Sequence, residues 1–498
     1  MMYAQFTIIL ILTTLLYTYL NIEAKGISGK ALEDTSSDNN VFPKDFLFGV
    51  STSAPQTEGA WNVSDRGPSV WDVMIHADPS LQQDRSNFDV ATDFYHKYKE
   101  DIRLAKSVGA QMFKLSFSWS RILPSGFTNH ISKDGIQFYK NVLNEIAANE
   151  MIPMVALFQM DLPYDLQKMG GLSNPLFIDW FEQYARLVFA TFGDKVKHWT
   201  TISDLNLLCY CGYGNSYIPQ VNLSGIADYL CGHHVLLAHT RVYHLYDREF
   251  RPKQNGEVGY TIYYQVPQPG DPSSDSDVAI AEVDHQRFNN WLVHPIFSST
   301  GDYPPIMKEI VAIHSRIQGF STSRLPRFTE EQIRNMRGAS DFLGIHYYTY
   351  ELVTPMSDVD IHVVNYDNDF GVAYAEEPSF RDAPSMLGKL IQRLNQDYHP
   401  TIYITENGFS ESALEDKAKV AYFRGHLAEV LKAIRNGVDI RGYLLWSLMD
   451  SVELYFGTQL QFGLFHVDFN HPNLTRTPRL SSKFIARVYE TRRLDSAA

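Results

Sequence analysis

The segment Thr405-Glu406-Asn407-Gly408 follows directly on the apolar run Thr401-Ile402-Tyr403-Ile404, which sets a carboxylate where a buried strand reaches its polar end. A carboxylate held there can attack an electrophilic carbon or carry a proton, whereas a lone glutamate more often caps a helix or faces solvent. Four more polar side chains close apolar runs in the same way: Gln56, Gln159, Asp204 and Tyr348. Asp204, in Thr201-Ile202-Ser203-Asp204-Leu205, offers a second carboxylate. Metal chemistry is not expected. His233, His234 and His239 are spaced five and six apart on a helical stretch and do not share one face, which suits core roles. Cys209, Cys211 and Cys231 allow at most one internal bridge, and the Cys-x-Cys pair lacks histidines at zinc spacing. Gly170-Gly171 stands alone and makes no nucleotide loop, so no cofactor is expected.

The elements that must hold these groups are short apolar runs alternating with longer amphipathic stretches. Strands are predicted at Phe46 to Val50, Met112 to Phe117, Ile152 to Phe158, His198 to Ile202, Val258 to Tyr263, Asp341 to Tyr347, Thr401 to Thr405 and Ile440 to Leu445. Helical periodicity fills Thr92 to Val108, Gly135 to Asn149, Leu176 to Phe192 and Lys417 to Asn436. Strand and helix alternating eight times predict an α/β chain folded as a single-domain (β/α)8 TIM barrel, with a doubly wound sheet as the alternative. Long insertions after the fifth strand take up the extra length. In such a barrel, reactive groups gather at the C-terminal ends of the strands, which is where the five polar residues fall.

A chain of 498 residues, 44% of them hydrophobic, can bury a large core. Its net charge of -14 opposes binding to nucleic acid or an anionic membrane. Residues 1–24 carry an apolar run from Thr7 to Leu20 with Ala24 as a cleavage point, the pattern of a signal peptide, and the run is shorter than a membrane span requires. Residues 25–40 read as a polar disordered leader, and residues 41–498 as the folded barrel. Sequons at Asn62, Asn222 and Asn473 agree with a secreted glycoprotein released to the extracellular space or a gut lumen.

Beyond these readings, Tyr403-Ile404-Thr405-Glu406-Asn407-Gly408 resembles the nucleophile motif of glycoside hydrolase family 1. Supporting stretches are Ser116 through Pro124, Phe192 through Trp199, Gly301-Asp302-Tyr303-Pro304 and Trp446-Ser447-Leu448-Met449-Asp450, in the family's order. The chain thus resembles the β-glucosidases and myrosinases of that family, in the form of a secreted, insect-type animal member. The resemblance implies retaining hydrolysis of a small-molecule β-glycoside, with Glu406 as nucleophile and Tyr348 orienting it. It also implies Gln56 and Glu453 as ligands of sugar hydroxyls and Trp446 as a stacking surface. Asp101 matches a scaffold segment.

Several positions depart from the family pattern. Asp204 stands where the acid/base glutamate is expected, and Ser203 where an asparagine precedes it. Gln159 replaces a histidine and Met160 a tryptophan on the third strand. Lys114 replaces an arginine beside the nucleophile, His346 an asparagine, and Leu454 a tryptophan. Three readings compete: a glycosidase with a weaker acid, a thioglucosidase whose activated or sulfur-linked aglycone needs no acid, and a catalytically silent binding protein. Retention of Glu406, Gln56, Tyr348, Trp446 and Glu453 favours an enzyme. The sequence assigns neither the sugar, the aglycone nor an oligomeric state.

Overall fold

A computed structural model describes residues 40–215, 221–375 and 381–494. The expected signal peptide over residues 1–24 and all but the last residue of the expected leader lie outside the described residues. That last residue, Asn40, is an exception to the expected disorder, because its carbonyl accepts a hydrogen bond from Leu494 N–H at 2.8 Å.

Eight parallel strands close on themselves: β1 (Leu47–Ser51), β2 (Met112–Ser116), β3 (Ile152–Phe158), β4 (His198–Ile202), β5 (Glu257–Pro269), β6 (Leu343–Pro355), β7 (Ile402–Asn407) and β8 (Ile440–Leu445). Each pairs with the next, and β8 returns to β1 through Leu47↔Gly442 to Val50↔Leu445. The order predicted from periodicity is therefore the order observed, and the doubly wound alternative is excluded by closure. Outside lie α1 (Phe94–Ser107), α2 (Lys133–Ala148), α3 (Phe177–Phe192), α4 (Ala227–Glu249), α5 (Asp275–Asp284), α6 (Pro384–Asp397), α7 (Lys417–Arg435) and α8 (Leu480–Thr491). Every strand is covered by helices, so nearly continuous apolar runs are what burial on both faces requires.

Two strands run well beyond their predicted ends, by six and eight residues. β5 and β6 continue as a paired ribbon past the rim, from Val266↔Tyr350 to Pro269↔Val353, after a bulge at Tyr264/Val266. The short strand Val372–Tyr374 adds to β6 antiparallel. The expected long insertion occupies residues 270–342, between β5 and β6.

Inside the barrel, Met112, Met154, Phe342, Tyr403 and Leu444 form an apolar floor. Side chains two residues further along alternate strands point the same way, one layer higher. On β2 that residue is Lys114 above Met112, and on β6 His346 and Tyr348 share one face. β7 breaks the alternation: the register shifts so that Ile345 faces Ile404 but His346 faces Glu406. Thr405 is the extra residue. Without this bulge Glu406 would point away from the pocket, and bulges beside reactive sites re-aim side chains in this way.

Candidate active site

Above the apolar floor the two carboxylates meet. Oxygens of Glu406 and Asp204 and a ring nitrogen of His346 all lie within 4.8 Å of one another, and all three residues are buried. Asp204 sits two residues past β4 in the left-handed region (φ 56), which turns its side chain inward before the chain enters the π-helix Leu208–Gly214. The bridge Cys209–Cys231 ties that π-helix to α4, and Cys211 is free, so the single bridge allowed by cysteine count forms.

Glu406 Oε1 accepts from Lys114 Nζ at 2.6 Å and from Gln159 Nε2 at 3.3 Å, while Oε2 accepts from Tyr348 Oη at 2.8 Å. Lys114 has no exposed side-chain surface, so this ion pair is fully desolvated. His346 Nδ1 lies 2.6 Å from Asp204 Oδ1 and 3.2 Å from Glu406 Oε2. Gln159 Nε2 also reaches Asp204 Oδ2 at 3.4 Å. The two residues expected beside the nucleophile, Lys114 and His346, both stand there.

Electrostatics follow burial. Burial pushes the Asp204 carboxyl up to about 7, opposed by the Lys114 charge. It holds His346 well below the usual imidazole range, so the ring is neutral. Burial, with Glu406 nearby, raises Glu453 to about 8. Tyr348 is pushed up by burial and by the Glu406 charge it bonds, so it stays a donor.

Gln56 lies in the short helix Ala54–Thr57, past the end of β1 rather than on it. Its Nε2 donates to Glu453 Oε2 at 2.9 Å, with Ser53 and Ser451 hydroxyls fixing the far side of each. The two residues expected to bind sugar hydroxyls therefore hold each other. Trp446 is buried and packs with Tyr348 and Phe462, and a cis peptide joins it to Ser447. Ser203 is buried with an unpartnered hydroxyl, as is the Oε1 of Gln159, leaving polar capacity for a ligand. Tyr263 stacks on Tyr348 at 6.0 Å and Phe462 meets it edge-on at 5.7 Å. Sequence reading passed over both, although Tyr263 ended the fifth predicted strand and so had a rim position.

Asp204, His346 and Glu406 are the one group of three candidate metal ligands among the described residues. The Lys114 ammonium, against both Glu406 and His346, already supplies the positive charge that an ion would bring. His233 contacts Tyr303 Oη, His234 the Leu172 carbonyl, and His239 both Thr201 and the Ala339 carbonyl, which are the core roles their spacing suggested. Asp101 pairs with buried Arg476 and is structural.

This barrel, with its facing carboxylates, has known counterparts: the profile described as glycosyl hydrolase family 1 matches residues 38–494. The chain belongs to glycosyl hydrolase family 1. Myrosinase 1 of Brevicoryne brassicae is 38% identical over 460 residues, covering 90% of this chain and 98% of that protein. Human cytosolic beta-glucosidase is 34% identical over 470 residues, covering 92% and 99%. Among solved structures, an aphid myrosinase superposes with a TM-score of 0.86 at 37% identity, covering 91% of this chain and all of that one. Asp204, His346, Lys114 and Gln159, four of the positions the sequence reading set apart from the family pattern, form one contiguous network around Glu406.

Proposed function

We propose that the chain is a retaining β-glycosidase that hydrolyses small β-glucoside-type molecules through a glycosyl-enzyme on Glu406. The observation that carries this is the separation of the carboxylates. Each carboxylate brings an oxygen within 4.8 Å of the other, and His346 Nδ1 and Gln159 Nε2 each reach both, a close approach that suits double displacement better than the wider gap, roughly 6.5 to 9.5 Å, that an inverting site leaves for water. Glu406 attacks the anomeric carbon while the aglycone departs with its bonding electrons. Water then adds to that carbon, passes a proton to Asp204, and returns the ester electrons to Glu406. Tyr348 and Lys114 hold the attacking carboxylate, Gln56 and Glu453 bind sugar hydroxyls, Trp446 stacks on the ring, and Gln159 and Ser203 complete the contacts.

Asp204 is one methylene shorter than a glutamate, which favours activated or sulfur-linked aglycones over poor leaving groups. The similarity to Myrosinase 1 of Brevicoryne brassicae supports the sulfur-linked case, while an equally similar lactase/phlorizin hydrolase supports the oxygen-linked one. Hydrolysis of paired aryl β-glucosides with good and poor leaving groups, alongside a glucosinolate, tests the reading. Turnover of the activated or sulfur-linked members is expected, and Glu406→Gln should abolish it. Full activity in that variant would refute the assignment, and no turnover of any glycoside with retained sugar binding would favour a silent barrel. We also propose export by residues 1–24 and glycosylation at Asn62, Asn222 and Asn473, which are all exposed. A mass shift on enzymatic deglycosylation of the secreted protein checks this.

A further inference from the structure

The ladder between β4 and β5 ends at Thr200↔Gly259, four residues before Asp204. On the β3 side the chain is held a little further, by Ser203 N–H donating to the Phe158 carbonyl at 3.0 Å. Asp204 itself is left-handed (φ 56, ψ 42), and its carbonyl accepts from Leu208 N–H at 2.8 Å. A backbone turned this way keeps its direction only while its surroundings hold it there.

Two residues on stands Asn206, with no exposed surface. Its Oδ1 accepts from Tyr263 N–H at 3.1 Å, while its Nδ2 donates to the Tyr263 carbonyl at 2.7 Å and to the Phe288 carbonyl at 3.1 Å. The amide has one orientation, since exchanging its oxygen and nitrogen would set N–H against N–H and oxygen against two oxygens. A side chain thus takes both polar groups of a β5 residue, as the peptides of a neighbouring strand would. Phe288 lies in a second π-helix, His285–Asn290, pinned by the buried Arg287 guanidinium to Asp284 at 2.7 Å and to Asp367 at 2.6 Å. The Tyr210 hydroxyl, six residues past Asp204, donates to the same Asp367 carboxylate at 3.1 Å, so both irregular segments share one anchor.

We propose that Asn206 is a positioning residue for the reaction: its amide replaces the missing β4–β5 ladder and fixes the distance between Asp204 and Glu406. On the Asp204 side the link is a single turn of backbone, Leu205–Leu207. On the Glu406 side it runs through Tyr263, which stacks on Tyr348 at 6.0 Å, and through the Tyr348 hydroxyl, which donates to Glu406 at 2.8 Å. With no exposed surface, Asn206 acts only through these groups. The role rests on the retaining reading, in which Asp204 takes the proton of the attacking water, and it consists in keeping Asp204 within reach of that water.

Hydrolysis of an activated aryl β-glucoside by the full chain, with and without sodium azide, tests this. Azide attacks the anomeric carbon as an anion and gives up no proton, so it bypasses a misplaced Asp204 in the second step. Asn206→Ala should lower kcat by about tenfold or more and KM with it, leaving kcat/KM within about threefold, because an activated aglycone draws little on Asp204 in the first step. Azide should restore kcat in Asn206→Ala and in the reference variant Asp204→Ala. Added to Asp204→Ala, Asn206→Ala should cost nothing more, since the group it positions is already gone. Asn206→Asp keeps the acceptor for Tyr263 N–H and the shape of the amide, so it serves where Asn206→Ala does not fold; a smaller loss, again relieved by azide, is expected. A loss that azide does not relieve, or an equal further loss on top of Asp204→Ala, would mark a structural role and overturn the proposal. A wild type that turns over no glucoside would instead overturn the retaining reading, and this role with it.

Discussion

Lys114 pairs with Glu406 in a group of buried carboxylates that also holds Asp204 and Glu453, and the site depends on it most. Replacing it with methionine leaves the nearly buried Glu406 without its counter-charge, which should cost about 3 to 5 kcal/mol in denaturant unfolding. Glu453 makes the opposite case. Its carboxyl titrates at about 8 in the fold against an ordinary 4.5, so the fold favours the neutral form. The stability tied to that preference is complete at low pH and is lost as pH rises through about 8. Glu453→Gln, neutral at every pH, should therefore unfold at a higher temperature than the wild type near pH 9, with the gap closing near pH 4. Thermal unfolding at the two pH values checks this. At this scale the sequence was informative about which residues converge and uninformative about who bonds to whom. Types and strand ends brought Glu406, Asp204, Gln159 and Tyr348 forward, but the His346–Asp204 contact joins positions 142 residues apart. Nor does any local pattern announce that Thr405 bulges and so turns Glu406 inward.

The segment that carries Asp204 is short and irregular, and it is held by a covalent tie. Between β4 and α4 the chain runs through a left-handed residue and a π-helix, and the Cys209–Cys231 bridge spans 22 residues across it. Closing a loop of that length in the unfolded chain accounts for roughly 3 kcal/mol of stability. The double variant Cys209→Ser/Cys231→Ser should lose about that much on unfolding while keeping the barrel's circular dichroism. Strand positions were legible to within a residue or two for six of the eight, because each is an apolar run bounded by polar or turn residues. β5 and β6 were read short at their C-terminal ends. Pro267 and Pro269 argue against continuation of a central strand, but past the rim β5 is an edge strand that pairs only with β6, and an edge tolerates proline.

The whole molecule is closed by its last helix. Tyr489 on α8 stacks on Phe48 at 4.5 Å, and its hydroxyl donates to the Gly49 carbonyl, while Arg479, just ahead of α8, pairs with buried Asp450. A chain ending before Leu480 should fail to fold, giving insoluble material or a collapsed far-ultraviolet spectrum; a soluble, cooperatively unfolding fragment would contradict this. The closed barrel was legible from alternation alone, since eight strand and helix pairs leave few other ways to cover every strand. The meeting of the ends was not, because it depends on backbone contacts that carry no side-chain pattern: Phe42 N–H donates to the Arg492 carbonyl, Val41 bridges Arg493, and Leu494 reaches Asn40. The fold is therefore indifferent to where its backbone starts. A few residues linking Leu494 to Asn40, with a new opening in the exposed turn at Gly319-Phe320, would give a circular permutant of the same barrel. Asn40 and Leu494 meet at the N-terminal end of β1, away from the strand ends that carry Glu406 and Asp204.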